Sequence, residues 1–285
     1  MRRRDDVRPR RPPGRALRPK GAVSLARALS KFGVCSRREA ERWIAAGRVR
    51  VNGQVELSPS RRIDLGGDRV VVDGRRVGGA GWARVVLAFH KPAGFVTTRI
   101  DPGGRPTVYD ALGDAFRVAP AGARAWPGWV FPVGRLDRDT SGLLVFTNDH
   151  RLGERLTSPE HRVPKTYHAR VAGVPDAEAL RALREGLPLP DGTVTRPAKV
   201  RVLGTPRGEG GFSWPEGQGS TWLEIVLTEG KNRQVRRMGA AVGHEVRELV
   251  RVRIGRLGLG DLAPGEWREL GPEEIRELQS DPGRQ

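Results

Sequence analysis

Hydrophobic and polar positions recur along this chain with two different periods, and the changes of period mark out its elements. From Ser24 the apolar residues Leu25, Ala28, Leu29 and Phe32 fall on one helical face, which Gly33 is placed to end. A second helix is expected at once: Ser36 and Glu39 form a Ser-x-x-Glu capping box, Ala40, Trp43 and Ile44 supply the apolar stripe, and Gly47 stops it. The period then falls to two. Val49 and Val51 alternate with Arg48 and Arg50 ahead of Asn52-Gly53, a dipeptide that accepts the positive φ of a tight hairpin. A second strand pair, residues 69 to 72 and 75 to 77, turns at Asp73-Gly74. The glycine-rich residues 78 to 84 read as a linker.

Beyond the linker, strands are expected at residues 85 to 90, 142 to 147, 166 to 171, 194 to 203, 222 to 227 and 245 to 254. Helices are expected at 107 to 112, 150 to 156, 176 to 185, 231 to 241 and 272 to 278. Strands interrupted by single short helices, without regular alternation, predict an α+β class with a mixed sheet. Residues 204 to 220, rich in Gly, Pro and Ser, read as a long surface loop. The expected organisation is a disordered basic tail (1 to 22), a small domain (23 to 77), the linker (78 to 84), a larger domain (85 to 278) and a C-terminal tail (279 to 285).

Charge changes the picture. The net charge is +18, and residues 1 to 20 carry eight Arg and one Lys against Asp5 and Asp6, a net of +7 that leaves +11 elsewhere. Two segments concentrate the remainder: residues 21 to 80 hold twelve Lys/Arg against six Asp/Glu, and residues 231 to 256 hold eight against two. Clustered cations point to nucleic acid. Arg37 and Arg38 stand in the first turn of the second helix, where the dipole disfavours cations by about 0.3 to 1 kcal/mol. A phosphate there would reverse the sign, so they are candidate RNA contacts, with Lys31, Arg42, Arg48 and Arg50 close by. The lone Cys35 excludes an internal disulfide and a multi-thiolate metal site, and the five histidines lack ligand spacing. No apolar run approaches the roughly 20 residues of a membrane span, and no signal-peptide pattern opens the chain, so a cytoplasmic protein without membrane contact is expected.

Residues 23 to 55, with two short helices, a basic helix start and a Val-Arg-Val-Asn-Gly hairpin, resemble the alpha-L RNA-binding motif, also called S4-like. That resemblance implies binding of structured RNA largely through backbone and shape.

Candidate chemistry centres on Gly134-Arg135-Leu136-Asp137-Arg138-Asp139-Thr140-Ser141-Gly142. Arginines on both sides of Asp137 hold its carboxylate ionised, fit to act as nucleophile or base. Asp139 to Gly142 have the side chains of a self-bonding turn. Four other pieces are candidates to join this segment. Lys91-Pro92-Ala93-Gly94 is a loop suited to close approach, and Lys165-Thr166-Tyr167 opens a strand with a ring suited to stacking on a base. Glu229 to Met238 crowds Lys231, Arg233, Arg236 and Arg237 at a helix start, and Leu249 to Gly255 alternates apolar and basic residues.

Together these motifs, in this order, resemble the RsuA/RluB branch of RNA pseudouridine synthases over roughly residues 23 to 275, most closely the RluB type that acts on large-subunit ribosomal RNA. The resemblance implies a catalytic domain on a mixed, mainly antiparallel sheet with a central cleft, no metal and no cofactor. It implies Asp137 as catalytic aspartate, Tyr167 as the tyrosine stacking on the target uracil, Arg236 as the basic partner of the aspartate, and Leu249 as an apolar wall. Lys91, Arg135, Lys165, Lys231, Arg233 and Arg237 are the accompanying RNA contacts. The implied substrate is ribosomal RNA or an assembly intermediate, met by a monomer. Two other readings remain: a ribosome-assembly factor that only binds RNA, and a hydrolase using Asp137, Asp139 and Asp149 around magnesium, against which the flanking arginines argue.

Overall fold

The computed structural model describes residues 22–78, 84–113, 130–203 and 219–280. The expected basic tail up to residue 21, linker residues 79–83, residues 204–218 of the expected surface loop and residues 281–285 lie outside the described residues. The chain divides into two compact units: Cys35–Gly81 with the residues up to Ser30, and Trp82–Gln285 with Lys31–Val34. No helix among the described residues is long and apolar enough to cross a membrane.

The first unit runs β1 (Val23–Ser24), α1 (Leu25–Lys31), α2 (Arg37–Ala45), β2 (Val49–Val51), β3 (Gln54–Val55), β4 (Arg62–Ile63), β5 (Val70–Val72) and β6 (Arg75–Val77). The capping box forms: Ser36 Oγ accepts from Glu39 N at 3.3 Å, and the Glu39 carboxylate accepts from Ser36 N at 3.1 Å. Both hairpin turns take the backbone that their sequences favour, with φ of 52° at Asn52 and 89° at Gly53, and 48° at Asp73 and 79° at Gly74. The strands order β3-β2-β5-β6, all antiparallel, and β1 pairs β4. Leu25, Leu29, Ile44 and Ile63 are fully buried, each worth about 1.5 to 3 kcal/mol of transfer free energy.

The second unit runs β7 (Val86–Lys91), α3 (Val108–Leu112), β8 (Phe131–Val133), β9 (Ser141–Thr147), α4 (His150–Thr157), β10 (Lys165–Ala172), α5 (Ala177–Glu185), β11 (Lys199–Leu203), β12 (Ser220–Leu227), α6 (Gln234–Ala241), β13 (Val246–Ile254), β14 (Leu257–Gly258), β15 (Trp267–Glu269) and α7 (Pro272–Gln279). Its sheet orders β11-β12-β10-β13-β9-β7-β15. Every neighbouring pair is antiparallel except β9 with β13, so the sheet is mixed and mainly antiparallel, as expected. Separate hydrophobic clusters cover the two halves: Leu87, Phe89, Leu144 and Phe146 on one side, Ala169, Leu183, Leu223 and Ile225 on the other.

The halves meet where β9 runs parallel to β13, with Ser141 opposite Val250 and Gly142 opposite Arg251. Gly142 has φ of +107°, and a Cβ there would lie 2.3 Å from the Arg251 carbonyl oxygen. Only glycine permits this backbone approach. The catalytic candidate Asp137 therefore precedes the central seam of the sheet by a few residues.

Two expected elements differ, and short strands appear that were not expected. The strand expected at 194 to 203 is confined to Lys199–Leu203, because Thr195 instead ties the end of α5: Leu187 N donates to Thr195 Oγ1 at 3.0 Å and Thr195 N to Leu187 O at 3.0 Å. Helix α6 starts at Gln234 rather than Lys231, since Arg233 is left-handed (φ 48°, ψ 34°) and cannot lie inside the helix. Strands β8, β14 and β15 are too short to show a period, and pairing with longer neighbours creates them.

Candidate active site

The segment from Leu136 to Thr140 is held by its own backbone. Thr97 Oγ1 donates to Leu136 O at 2.7 Å and accepts from Leu136 N at 3.2 Å. Thr140 N donates to Asp137 O at 3.1 Å, and Gly94 N donates to Arg138 O at 2.7 Å. Arg236 Nη2 reaches Asp139 O at 2.9 Å. Lys91 Nζ donates to Thr140 O at 2.7 Å, to Pro92 O at 2.9 Å and more weakly to Arg138 O at 3.4 Å. Five consecutive carbonyls, 136 through 140, thus have donors from β7, its following loop, the turn itself and α6. Leu136 is 5% exposed and anchors the loop in the core, while the Asp137 carboxylate keeps 30% of its side-chain surface open.

This corrects the role expected of Lys91. Its side chain is fully buried, so it is a scaffold for the loop rather than an RNA contact. Burial pushes its ammonium down to about 8, against the pull of Asp139 and Asp137.

The arginines are also distributed differently from expectation. The guanidinium within reach of Asp137 is that of Arg233, with Nη1 3.7 Å from Oδ2. Arg233 also bonds both carboxylate oxygens of Asp139, at 3.1 and 3.2 Å. Arg236, expected to pair with Asp137, forms its ion pair with Asp139, Nε to Oδ2 at 3.2 Å. Asp139 is therefore more than a turn residue. Burial alone would raise its pKa, but Arg233 and Arg236 hold it below the usual carboxylate range. Burial lowers the Arg236 guanidinium, and Asp139 opposes that shift.

Asp137, Arg135, Lys165, Tyr167, Lys231, Arg233 and Leu249 all line one cavity of about 460 Å³. Tyr167 and Arg251 are register partners on adjacent strands, which sets the tyrosine ring beside β13. Leu249 is 5% exposed and contributes an apolar wall. Arg251, not foreseen as a site residue, also lines this cavity while being 4% exposed, and its Nε donates to Leu143 O at 2.8 Å. Its alternation with apolar neighbours on a strand placed it on a basic face; the signal that it points inward is Leu249, two residues earlier and on the same face.

Other expected RNA contacts are occupied by the protein itself. Arg48 forms a fork with Asp73, Nε to Oδ1 at 3.0 Å and Nη2 to Oδ2 at 2.5 Å, and lies 4.6 Å over the Trp43 ring. Lys231 bonds the Val194 carbonyl and lies 3.6 Å from Glu229, and Arg237 pairs with Asp191. Arg50 reaches the Gly53 carbonyl at 3.1 Å while staying exposed. Arg37, Arg38, Arg42 and Arg135 are exposed, and Lys31 is half-buried. The carboxylates of the magnesium reading do not converge: Asp149 caps α4 through Arg151 N at 2.9 Å and pairs with Arg84 at 2.9 Å, while Asp139 belongs to the arginines.

Comparisons with known proteins agree on a family. Residues 85–241 match the family model described as RNA pseudouridylate synthase, and residues 24–70 match the S4 domain. A protein named ribosomal large subunit pseudouridine synthase B from Bacillus subtilis (strain 168) is 36% identical over 256 residues, covering 90% of this chain and 95% of that protein. One from Aquifex aeolicus (strain VF5), named an uncharacterized RNA pseudouridine synthase, is 38% identical over 257 residues, covering 90% and 93%. Among solved structures, a pseudouridylate synthase crystal structure superposes with a TM-score of 0.59 at 28% identity, covering 90% of this chain and 99% of that one.

Proposed function

The chain belongs to the RNA pseudouridylate synthase family, and from that premise we propose that it converts a uridine of large-subunit ribosomal RNA to pseudouridine with Asp137 as the catalytic carboxylate. The observation that carries this assignment is the set of donors to five successive carbonyls around Asp137, which fixes its position before substrate arrives.

The reaction breaks the N1–C1′ bond, turns the base and joins C5 to C1′, so no oxidant or external nucleophile enters. One ionised carboxylate is required, either to attack C1′ or to take the 2′ proton. Arg233, 3.7 Å away, is the guanidinium that faces the Asp137 carboxylate in this cavity. Tyr167, on the wall of the same cavity, stacks on the flipped uracil, and Leu249 supplies an apolar part of that wall. The exposed Arg37, Arg38 and Arg42 of the S4 domain bind phosphates of the same RNA. We read the chain as acting in the cytoplasm, as a monomer, on rRNA or an assembly intermediate.

Asp137→Asn tests the assignment. The variant should bind ribosomal RNA as the parent does and form pseudouridine at least about 10²- to 10⁴-fold more slowly, the scale of a general base. The readout is carbodiimide primer extension on rRNA from cells with and without the gene. Undiminished pseudouridine from the variant would refute the role of Asp137.

A further inference from the structure

The cavity around Asp137 holds charges of both signs, and they are compensated unequally. Its carboxylates have partners: Asp137 has Arg233 at 3.7 Å, and Glu229 has Lys231 at 3.6 Å and Arg196 at 4.0 Å. Three of its cations have none among the described residues, and of these Arg135 is exposed while Lys165 and Arg251 are withdrawn from solvent. Lys165 and Arg251 line the cavity, and neither has a carboxylate within ion-pair distance among the described residues. Arg251 is 4% exposed, bonds one backbone carbonyl through Nε, and leaves Nη2 buried with no hydrogen-bond acceptor. A buried donor without a partner is penalised, and more so when it is charged. Lys165 stands two residues before Tyr167 on β10, hence on the same face, and burial together with the nearby Arg251 lowers its ammonium to about 8. Two cations that repel one another inside a cavity are costly for the empty protein. That cost is relieved by a ligand bearing negative charge.

We propose that Lys165 and Arg251 form a phosphodiester-binding wall of the uridine cavity, gripping a phosphate beside the flipped nucleotide. The inference rests on the reading of the cavity as a uridine site. A uracil carbonyl would accept a hydrogen bond from either side chain but would leave both charges uncompensated in a partly desolvated space. A phosphodiester supplies a full negative charge and several acceptor oxygens, and the guanidinium fork matches it. The wall makes the cavity recognise a uridine as part of a chain rather than as a free base. Remote binding energy of this kind serves to hold C1′ against Asp137.

The test uses the two tyrosines of the chain, Tyr109 and Tyr167. In the full chain labelled with 3-fluorotyrosine, the Tyr167 fluorine signal is titrated with uridine, uridine 5′-monophosphate and uridine 3′-monophosphate. At least one monophosphate is expected to move the signal at about a tenfold lower concentration than uridine, the scale of one charge-assisted contact. Lys165→Met should bring that monophosphate to the level of uridine and leave uridine unchanged, while Lys165→Arg, which keeps the charge, should retain most of the difference. Monophosphates that act on Tyr167 no better than uridine, or not at all, overturn the proposal. So does an equal loss of uridine and monophosphate response in Lys165→Met, which would place Lys165 against the base. Pseudouridine mapping in the parent chain reads the reaction separately. Phosphate-dependent binding in a chain that makes no pseudouridine would sink the proposed function and leave this site standing.

Discussion

Two helix starts in this protein carry arginines where the helix dipole is already positive, and the sequence makes them look alike. At α2, Arg37 and Arg38 are exposed, and the free N–H groups are served by a complete capping box from Ser36 and Glu39. At α6, Arg233 is the cap residue itself, left-handed and without a side-chain cap bond, and with Arg236 it is bound by Asp139 from a loop about a hundred residues earlier in the chain. The first start is stable by itself and points its cations outward, free for phosphate. The second has given up a good cap so that its cations face inward and hold a carboxylate-bearing loop. Misplaced charge at a helix end is thus a signal of an anion, but the anion can be the protein's own.

The largest effect that would break this distinction is expected at Asp139. Asp139→Asn removes the charge that occupies Arg233 and Arg236 while keeping the shape, so Arg233 is free to close on Asp137 and the loop shifts. Pseudouridine formation at saturating RNA should fall by about 10²-fold, the consequence of misplacing a reacting group by about an ångström, while RNA affinity stays level or rises. Activity within twofold of the parent would show that the inward arginines are dispensable.

The opposite outcome is expected from Arg37→Glu with Arg38→Glu. These side chains touch no carboxylate among the described residues, so reversal should leave the fold and the turnover of bound RNA intact. The slope of log affinity against log salt should drop by about 1.4 to 1.8 for the two lost phosphate contacts. An unchanged slope in a filter-binding titration would remove them from the RNA interface and with them the contrast between the two helix starts.

Legibility in the sequence follows the range of the interactions. The capping box at Ser36 and the turns at Asn52-Gly53 and Asp73-Gly74 are decided within four residues, and the structure forms each as its local chemistry dictates. Lys91 is different. Next to Pro92 and Gly94 it reads as a cation on an open loop, yet its burial is set by carbonyls of residues 138 and 140. Asp139 likewise reads as a turn residue because Arg233 and Arg236 are distant in sequence. The motifs marked the segments that line the cavity; which arginine faces which aspartate depended on a left-handed residue at 233 and on the parallel seam at Gly142, neither of which leaves a local pattern.

The smallest effects distinguish the two starts by sign. Ser36→Ala deletes an acceptor for Glu39 N and a donor to its carboxylate, so it should cost about 1 kcal/mol in denaturant unfolding of the S4 domain without changing the turnover of bound RNA. At the other start, Arg233→Asn places a residue that tolerates φ near +50° where an arginine is strained. Stability should therefore hold or rise, by up to about 1 kcal/mol, while pseudouridine formation falls because Asp137 loses its nearest guanidinium. A residue that is locally unfavourable and still retained is held there by what it does for the site. If Arg233→Asn instead destabilises the chain and spares the reaction, Arg233 is a structural clamp on Asp139, and the inward-facing helix start has no more to do with catalysis than the outward one.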